Sequence, residues 1–206
     1  MIGGFDMRTQ YIIDTLNANF GEQESYSKEQ LESITSLTIN RFNILNQIAE
    51  VSCHDLVYFP NLTSLTIQQC IIDEEFIASI KKLGKLSSIT FIRCEFEGNY
   101  GDLFHMALLR DLCFDGTQVD VSLLNHGIFD TLVFSNMEIS EKVEINANRL
   151  NISKANVKDW GILDNMIDTL IVSGEQYDNV EALHQYTGHI VVMEDNLQMI
   201  REEVNV

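Results

Sequence analysis

An α/β solenoid of about eight short parallel strands behind an N-terminal helical cap is the fold class the sequence predicts, and three observations predict it. The stretch "LTSLTIQQCII", residues 62–72, sets Leu62, Leu65, Ile67, Cys70 and Ile72 at offsets 0, 3, 5, 8 and 10, which fits neither a helical period nor strict strand alternation. The same spacing returns along most of the chain. Hydrophobic residues make up 45% of 206 positions, enough for a sizeable core in one domain.

Strong copies begin at Ile34, Leu86, Leu109 and Phe129, and weaker ones at Ala147, Ile167 and Thr187. The second apolar position of each copy falls at Leu37, Leu65, Ile89, Leu112, Leu132, Leu150, Leu170 and Ile190, so the period runs from 28 down to 18 residues. A period in this range means stacked repeats. Each x-L-x-L-x core is a short strand that sends two apolar side chains to one side, and no single repeat can bury them without a neighbour. Stacking supplies the interior, at about 1.5–3 kcal/mol for each large aliphatic side chain fully buried.

These segments resemble the leucine-rich repeat family, whose pattern L-x-x-L-x-L-x-x-N/C-x-L they follow over residues 34 to about 197. The resemblance implies an irregular right-handed horseshoe with a parallel sheet on the concave side and helices and turns on the convex side. The ninth position of the family pattern is Asn or Cys, forming a hydrogen-bonded ladder; here it reads Phe42, Cys70, Cys94, Thr117, Met137, Ala155, Glu175 and Asp195. Phe42, Met137 and Ala155 cannot take part in such a ladder, so the loop stack must be satisfied differently there.

The connections shorten along the chain. Between Ile72 and Leu86, Asp73 can cap a helix that places Phe76, Ile77, Ile80 and Leu83 on one face, with Gly84 to end it. In "DNVEALHQYTG", Asp178 and Glu181 have capping-box spacing and Gly188 offers a stop. Pro60, the single proline, sits just before a strand where no ladder donor is lost.

A first rung has an open apolar edge and needs a cap. Residues 1–33 read as one: Ile12, Leu16 and Phe20 share a helical face, and Ser27 with Gln30 forms a capping box. The combination "DTLNANFG…YSKEQLESITSLTI" is similar to the helical cap of internalin-type bacterial leucine-rich repeat proteins, although no export signal precedes it and an exported adhesion role is not carried over. The repeats then occupy 34–197, and 198–206 form a tail or cap, with "DNLQMIREEVNV" expected as a short helix.

The formal charge is −18, from 31 acidic and 13 basic residues, which sets the chain against phosphate backbones and anionic lipid surfaces. Neither nucleic acid nor membrane is an expected partner, and no apolar run approaches the ~18 residues of a membrane span. A soluble cytoplasmic protein, bacterial by its cap resemblance, is the expectation. Residues 1–35 carry a net −4 and residues 173–206 a net −6, so the ends hold over half the excess. Polar solenoid caps account for this, and so does electrostatic steering of a basic partner.

In a stack of this kind the side chains flanking the inward pair face out of the sheet. One outward row is Thr38, Thr66, Thr90, Cys113, Val133, Asn151, Ile171 and Val191, and it turns apolar toward the C-terminus, with Met193 one step away. Good strand formers or a covering tail account for that change; so does a contact surface, because monomers seldom leave contiguous apolar patches in water. The candidate partner-binding residues are Arg93, Asp111, Asp115, Val133, Arg149, Ile171, Val191 and Met193.

No catalytic or phosphate-binding motif assembles, and no enzyme, cofactor or metal is expected. Cys53 beside His54 is the nearest approach to a nucleophile and base, and it lacks a third orienting group. The cysteines, at 53, 70, 94 and 113, form no C-x-x-C pair and read as reduced structural thiols. Cys70 and Cys94 share a position on successive rungs, which suits the ladder and leaves a redox or metal pair as the alternative. The functional expectation is a protein-binding module that uses the concave face. An acidic, immunity-type neutraliser of a basic protein is the alternative, and an enzyme using Cys53 and His54 the remote one.

Overall fold

A computed structural model of the chain describes residues 10–40, 53–142, 144–164, 166–193 and 200–204, with side chains at 10, 11, 53, 54 and 200–204 outside the description. The fold is α/β, with mostly parallel strands and few helices. It divides into two compact units, Met1–Leu108 and Leu109–Val206.

In the first unit, helices α1 (Gln10–Phe20) and α2 (Lys28–Ser33) precede strand β1 (Ser36–Asn40). Ile12 and Leu16 are fully buried on one face of α1, as the spacing predicts. Helix α2 begins with the expected capping box: Gln30 N–H donates to Ser27 Oγ at 3.2 Å, and Ser27 N–H donates to Gln30 Oε1 at 2.7 Å. Such a box satisfies two otherwise orphaned donors at a helix start.

Strands β1, β2 (Ser64–Gln68) and β4 (Ser88–Ile92) pair in parallel, with Leu37 opposite Leu65 and Leu65 opposite Ile89. The repeat spacing sets this register, because a slip of one residue would turn every inward side chain toward water. Leu37, Leu65 and Ile89, and two residues on Ile39, Ile67 and Phe91, are all buried. A second ladder joins the short strands β3 (Ile71–Ile72) and β5 (Glu95–Phe96). Between them Asp73 caps α3 (Glu74–Ile80), accepting from Phe76 N–H at 2.8 Å. Phe76, Ile77, Ile80 and Leu83 are buried as expected, while the helix ends at Ile80, ahead of Gly84.

The second unit carries β6 (Asp111–Asp115), β7 (Ile128–Ile139), β8 (Asn146–Val157), β9 (Met166–Ser173) and β10 (His189–Met193) in parallel, in that spatial order. Leu112, Leu132, Leu150, Leu170 and Ile190 stand opposite one another in sequence along the sheet. All five are buried, and beside them the rings of Phe114 and Phe134 stack at 5.9 Å. The connections are single 3₁₀ turns at Val121–Leu124 and Trp160–Asp164, followed by α4 (Gly174–Asn179) and α5 (Glu181–His184) between β9 and β10. Every 3₁₀ turn sends at least one apolar residue inward, Val121 and Leu124 in one case and Ile162 in the other.

Two expectations are corrected here. The C-terminal residues form a strand, β11 (Ile200–Val204), antiparallel to β10, instead of a helix. A short isolated helix is marginal, whereas pairing satisfies the row of backbone groups that β10 would otherwise leave open. The capping box near residue 178 is likewise formed by Ser173 and Gln176 at the start of α4, and α5 has no side-chain cap.

Strands β2, β4 and β6 are each followed by one residue with positive φ, Gln69 (55°), Arg93 (51°) and Gly116 (60°), and the equivalent Asn136 (53°) has the same conformation within β7. This left-handed residue turns the chain out of the strand, which frees Gln69 N–H to donate to Ile92 O and Gly116 N–H to donate to Ser135 O, both at 2.8 Å. For an L residue the conformation costs about 1–2 kcal/mol, against about 0.5–1 kcal/mol of extra chain entropy that glycine loses on folding. Arg93→Gly is therefore expected to raise stability by up to about 1 kcal/mol, and Arg93→Val, β-branched, to lower it by at least as much. Urea midpoints of the two variants check both signs.

Among the described residues no helix is long and apolar enough to cross a membrane.

Candidate protein-binding face

The residues expected to meet a partner separate into three groups. Arg93 lies in the first unit, exposed, at the left-handed position that follows β4. Asp111, Asp115, Val133 and Arg149 lie in the second unit on neighbouring strands: Asp111 stands opposite Thr131, and Thr131 opposite Arg149, while Val133 sits between Cys113 and Asn151. Arg149 is exposed and the other three are part-exposed. The third group departs from expectation.

Ile171 and Val191 are not an exposed stripe. Ile171 is 2% exposed and Val191 9%, beside the inward Leu170, Val172, Ile190 and Val192, which are buried as well. At this end of the sheet β9 and β10 are covered on both faces, as for parallel strands buried on both sides. In the strand register Ile171 lies opposite Asn151 on one side and Val191 on the other, and the Val191 backbone lies opposite Ile171 and Glu202. The sequence shows unbroken apolar runs here, "LIV" and "IVV", but "LVF" of β7 is one as well and leaves Val133 part-exposed. Met193, one turn of the pleat away, is 43% exposed at the end of β10. The accessible face therefore spans β6 to β8.

Several polar groups on that face are held in place. Asn136 Nδ2 donates to Asp115 Oδ1 at 2.5 Å and to Ser135 Oγ at 3.2 Å. Asn151 Oδ1 accepts from the backbone N–H and the hydroxyl of Ser153, at 3.1 and 2.8 Å. That local turn accompanies a bulge: Val133 pairs with Asn151 but Ser135 pairs with Lys154, one residue further on. Lys154, in the position that is left-handed in other repeats, is drawn into the strand instead.

Cys113 lies between Asp111 and Asp115 along β6. Burial pushes its thiol up from the ordinary value, and the Asp115 carboxylate adds to the shift. Less thiolate at a given pH means slower attack on disulfide reagents. Asp115→Asn removes a like charge and is expected to speed labelling of Cys113 at pH 8 by about two- to fivefold, with burial still holding it below a free thiol. Stopped-flow absorbance with an aromatic disulfide, in a variant lacking the other cysteines, reads that rate.

Cys70, Cys94 and Cys113 are free thiols. Cys94 Sγ–H donates to Ile67 O at 3.3 Å and Cys70 Sγ–H to Gln68 O at 3.2 Å, so both are committed to backbone carbonyls. Cys53 and His54 open the 3₁₀ turn Cys53–Tyr58, and their side chains lie outside the described residues. Among the described residues, no three His, Cys, Asp or Glu gather as a metal cluster would require. The face from β6 to β8 offers two carboxylates, one guanidinium, hydroxyls and an apolar centre at Val133.

Searched against family models and curated proteins, the chain matches none.

Proposed function

We propose that the chain is built of leucine-rich repeats and works as a protein-binding module, with the sheet face of β6, β7 and β8 as its contact surface. The observation that carries this reading is the in-register set of Asp111, Thr131 and Arg149 beside Val133, all accessible on strands whose opposite faces are fully buried. Side chains about 4.8 Å apart on a rigid sheet keep their relative positions without an ordering cost at binding, which favours recognition of a preformed surface. An apolar centre flanked by charges of both signs is the composition of a small interface core with a polar rim. The resemblance of the repeat to a family that binds proteins on its concave face points the same way.

The test is affinity capture from lysate of the source cells by wild type and by Val133→Asp with Arg149→Glu. Fewer than about 30% of interface residues cost more than about 1 kcal/mol when truncated, and a handful near the centre cost about 2 kcal/mol or more. The double variant is expected to lose a specific captured band by at least about tenfold while its melting temperature stays within a few degrees of wild type. Equal capture by both proteins would overturn the assignment of this face.

A further inference from the structure

The amino-terminal ends of β9 and β10 frame a cleft of about 590 Å³, away from the sheet face and entirely within the second unit. Its walls are aromatic and apolar, from Trp160, Leu163, Met166 and Tyr186, and its polar groups include the carboxylates of Asp164 and Asp168. The volume is that of a small-ligand site.

Three features make it a fixed shape. Tyr186 Oη donates to Ile167 O at 2.8 Å, which holds the ring against the start of β9. Gly188 lies under that ring: a Cβ there would fall 2.5 Å from Tyr186 Cε1 and 2.6 Å from Cζ, so the ring occupies this position only over glycine. Gly161 N–H donates to Asp159 Oδ1 at 2.8 Å and fixes the turn that carries Trp160.

The charge is unbalanced. Asp164 is paired with Lys142 at 3.1 Å, whereas no described lysine or arginine pairs with Asp168. Burial and the Asp168 carboxylate together raise the Tyr186 hydroxyl above its ordinary value, so that charge is felt inside the cleft. At the rim Met166 is 74% exposed, the most exposed large hydrophobic side chain among the described residues. Met166 and Asp168 are both exposed beside the part-exposed rings of Trp160 and Tyr186, and a ligand that is both cationic and able to lie flat on apolar surface complements that set. Guanidinium meets that description better than ammonium: it is planar, weakly hydrated and stacks on aromatic faces while donating to a carboxylate.

We propose that this cleft takes an arginine side chain presented by a basic protein partner, with Asp168 accepting from the guanidinium, Trp160 and Tyr186 flanking it, and Met166 covering the adjoining apolar residue of the partner. The chain's charge of −18 favours the approach of such a partner. This site is separate from the sheet face, and each stands or falls alone.

A short fluorescein-labelled peptide of alternating arginine and leucine is the probe, followed by anisotropy at about 0.15 M salt, where long-range attraction is screened beyond about 8 Å. Its twin carries citrulline, which keeps the shape of arginine without the charge. Saturable binding is expected to weaken by about tenfold with Asp168→Asn, with Met166→Ser and with the citrulline peptide. A control variant, Glu175→Gln with Asp178→Asn, removes two exposed carboxylates elsewhere in the unit and is expected to bind like wild type. No saturable binding, an equal loss in the control, or affinity within about twofold of wild type for Asp168→Asn would overturn the proposal. Val133→Asp with Arg149→Glu leaves this binding unchanged if the two surfaces are separate, and its failure to do so would overturn that separation.

Discussion

Ile171→Asp is expected to destabilise the protein by about 4 kcal/mol or more, through loss of an apolar contact and burial of a carboxylate. The site is 2% exposed and lies between Asn151 and Val191 in a sheet covered on both faces. For a chain of 206 residues this corresponds to a fall in melting temperature of roughly 8–16 °C. The introduced carboxyl will resist ionisation in that setting, so its folded-state pKa rises above the ordinary ~3.9. Below the ordinary value the acid is neutral in both states and the charge penalty is absent. As pH rises through it, the unfolded chain ionises first and the penalty grows until the folded pKa is passed. Melting curves at pH 4 and pH 7 should therefore show the smaller loss at pH 4. A side chain facing water at this position would give a loss under about 1 kcal/mol at both. Val133→Asp, on the part-exposed β7, serves as the internal comparison and is expected to stay within about 1.5 kcal/mol of wild type.

The contrast between these two positions shows where the sequence could be read and where it could not. The offset pattern located all eight in-frame strands and set Leu37 against Leu65 and Leu132 against Leu150, because a buried period of two fixes register. Caps were legible at Ser27 and Asp73, whereas the Ser173–Gln176 box, equally close to its helix, competes with the capping-box spacing of Asp178 and Glu181 a few residues on. Whether an outward side chain stays in water depends instead on what covers the sheet, which a repeat pattern does not encode. Ile171 and Val133 hold equivalent positions in the repeat and differ in burial for that reason. The unbroken run around Ile171 has a counterpart in Leu132–Phe134 around Val133, so the run alone does not tell a covered position from an open one. The cleft at Trp160 and Tyr186 was invisible for a related reason. Its walls come from two connections 20 or more residues apart, and only the stacking of β9 beside β10 brings them together.

Gln176→Ala is expected to cost about 2–4 kcal/mol, more than its modest place in a six-residue helix would suggest. Glu175, which aligns with Cys94 in the sequence repeat, is exposed, and Ala155 in the preceding repeat has no polar side chain to offer. Gln176 fills the gap from one residue further along. Its Nε2 donates to Ile152 O at 2.9 Å and to Ala155 O at 3.0 Å, while its Oε1 accepts from Ser173 N–H at 2.8 Å. Ile152 is the repeat equivalent of Ile67, whose carbonyl accepts from Cys94 on the following rung. The same backbone acceptor is thus served in two repeats by different chemistry, a thiol in one and a carboxamide shifted by one residue in the other. Alanine at 176 leaves two part-buried carbonyls and one N–H short of partners, and each such loss costs about 1–3 kcal/mol where water cannot replace it. Ser173→Ala removes only the cap to Gln176 N–H, at 3.1 Å, and is expected to cost about 1 kcal/mol. Chemical denaturation of the two variants separates cap from ladder: a glutamine effect at least twice the serine effect assigns the larger part to the carbonyls of β8, and equal effects would reduce Gln176 to a capping residue.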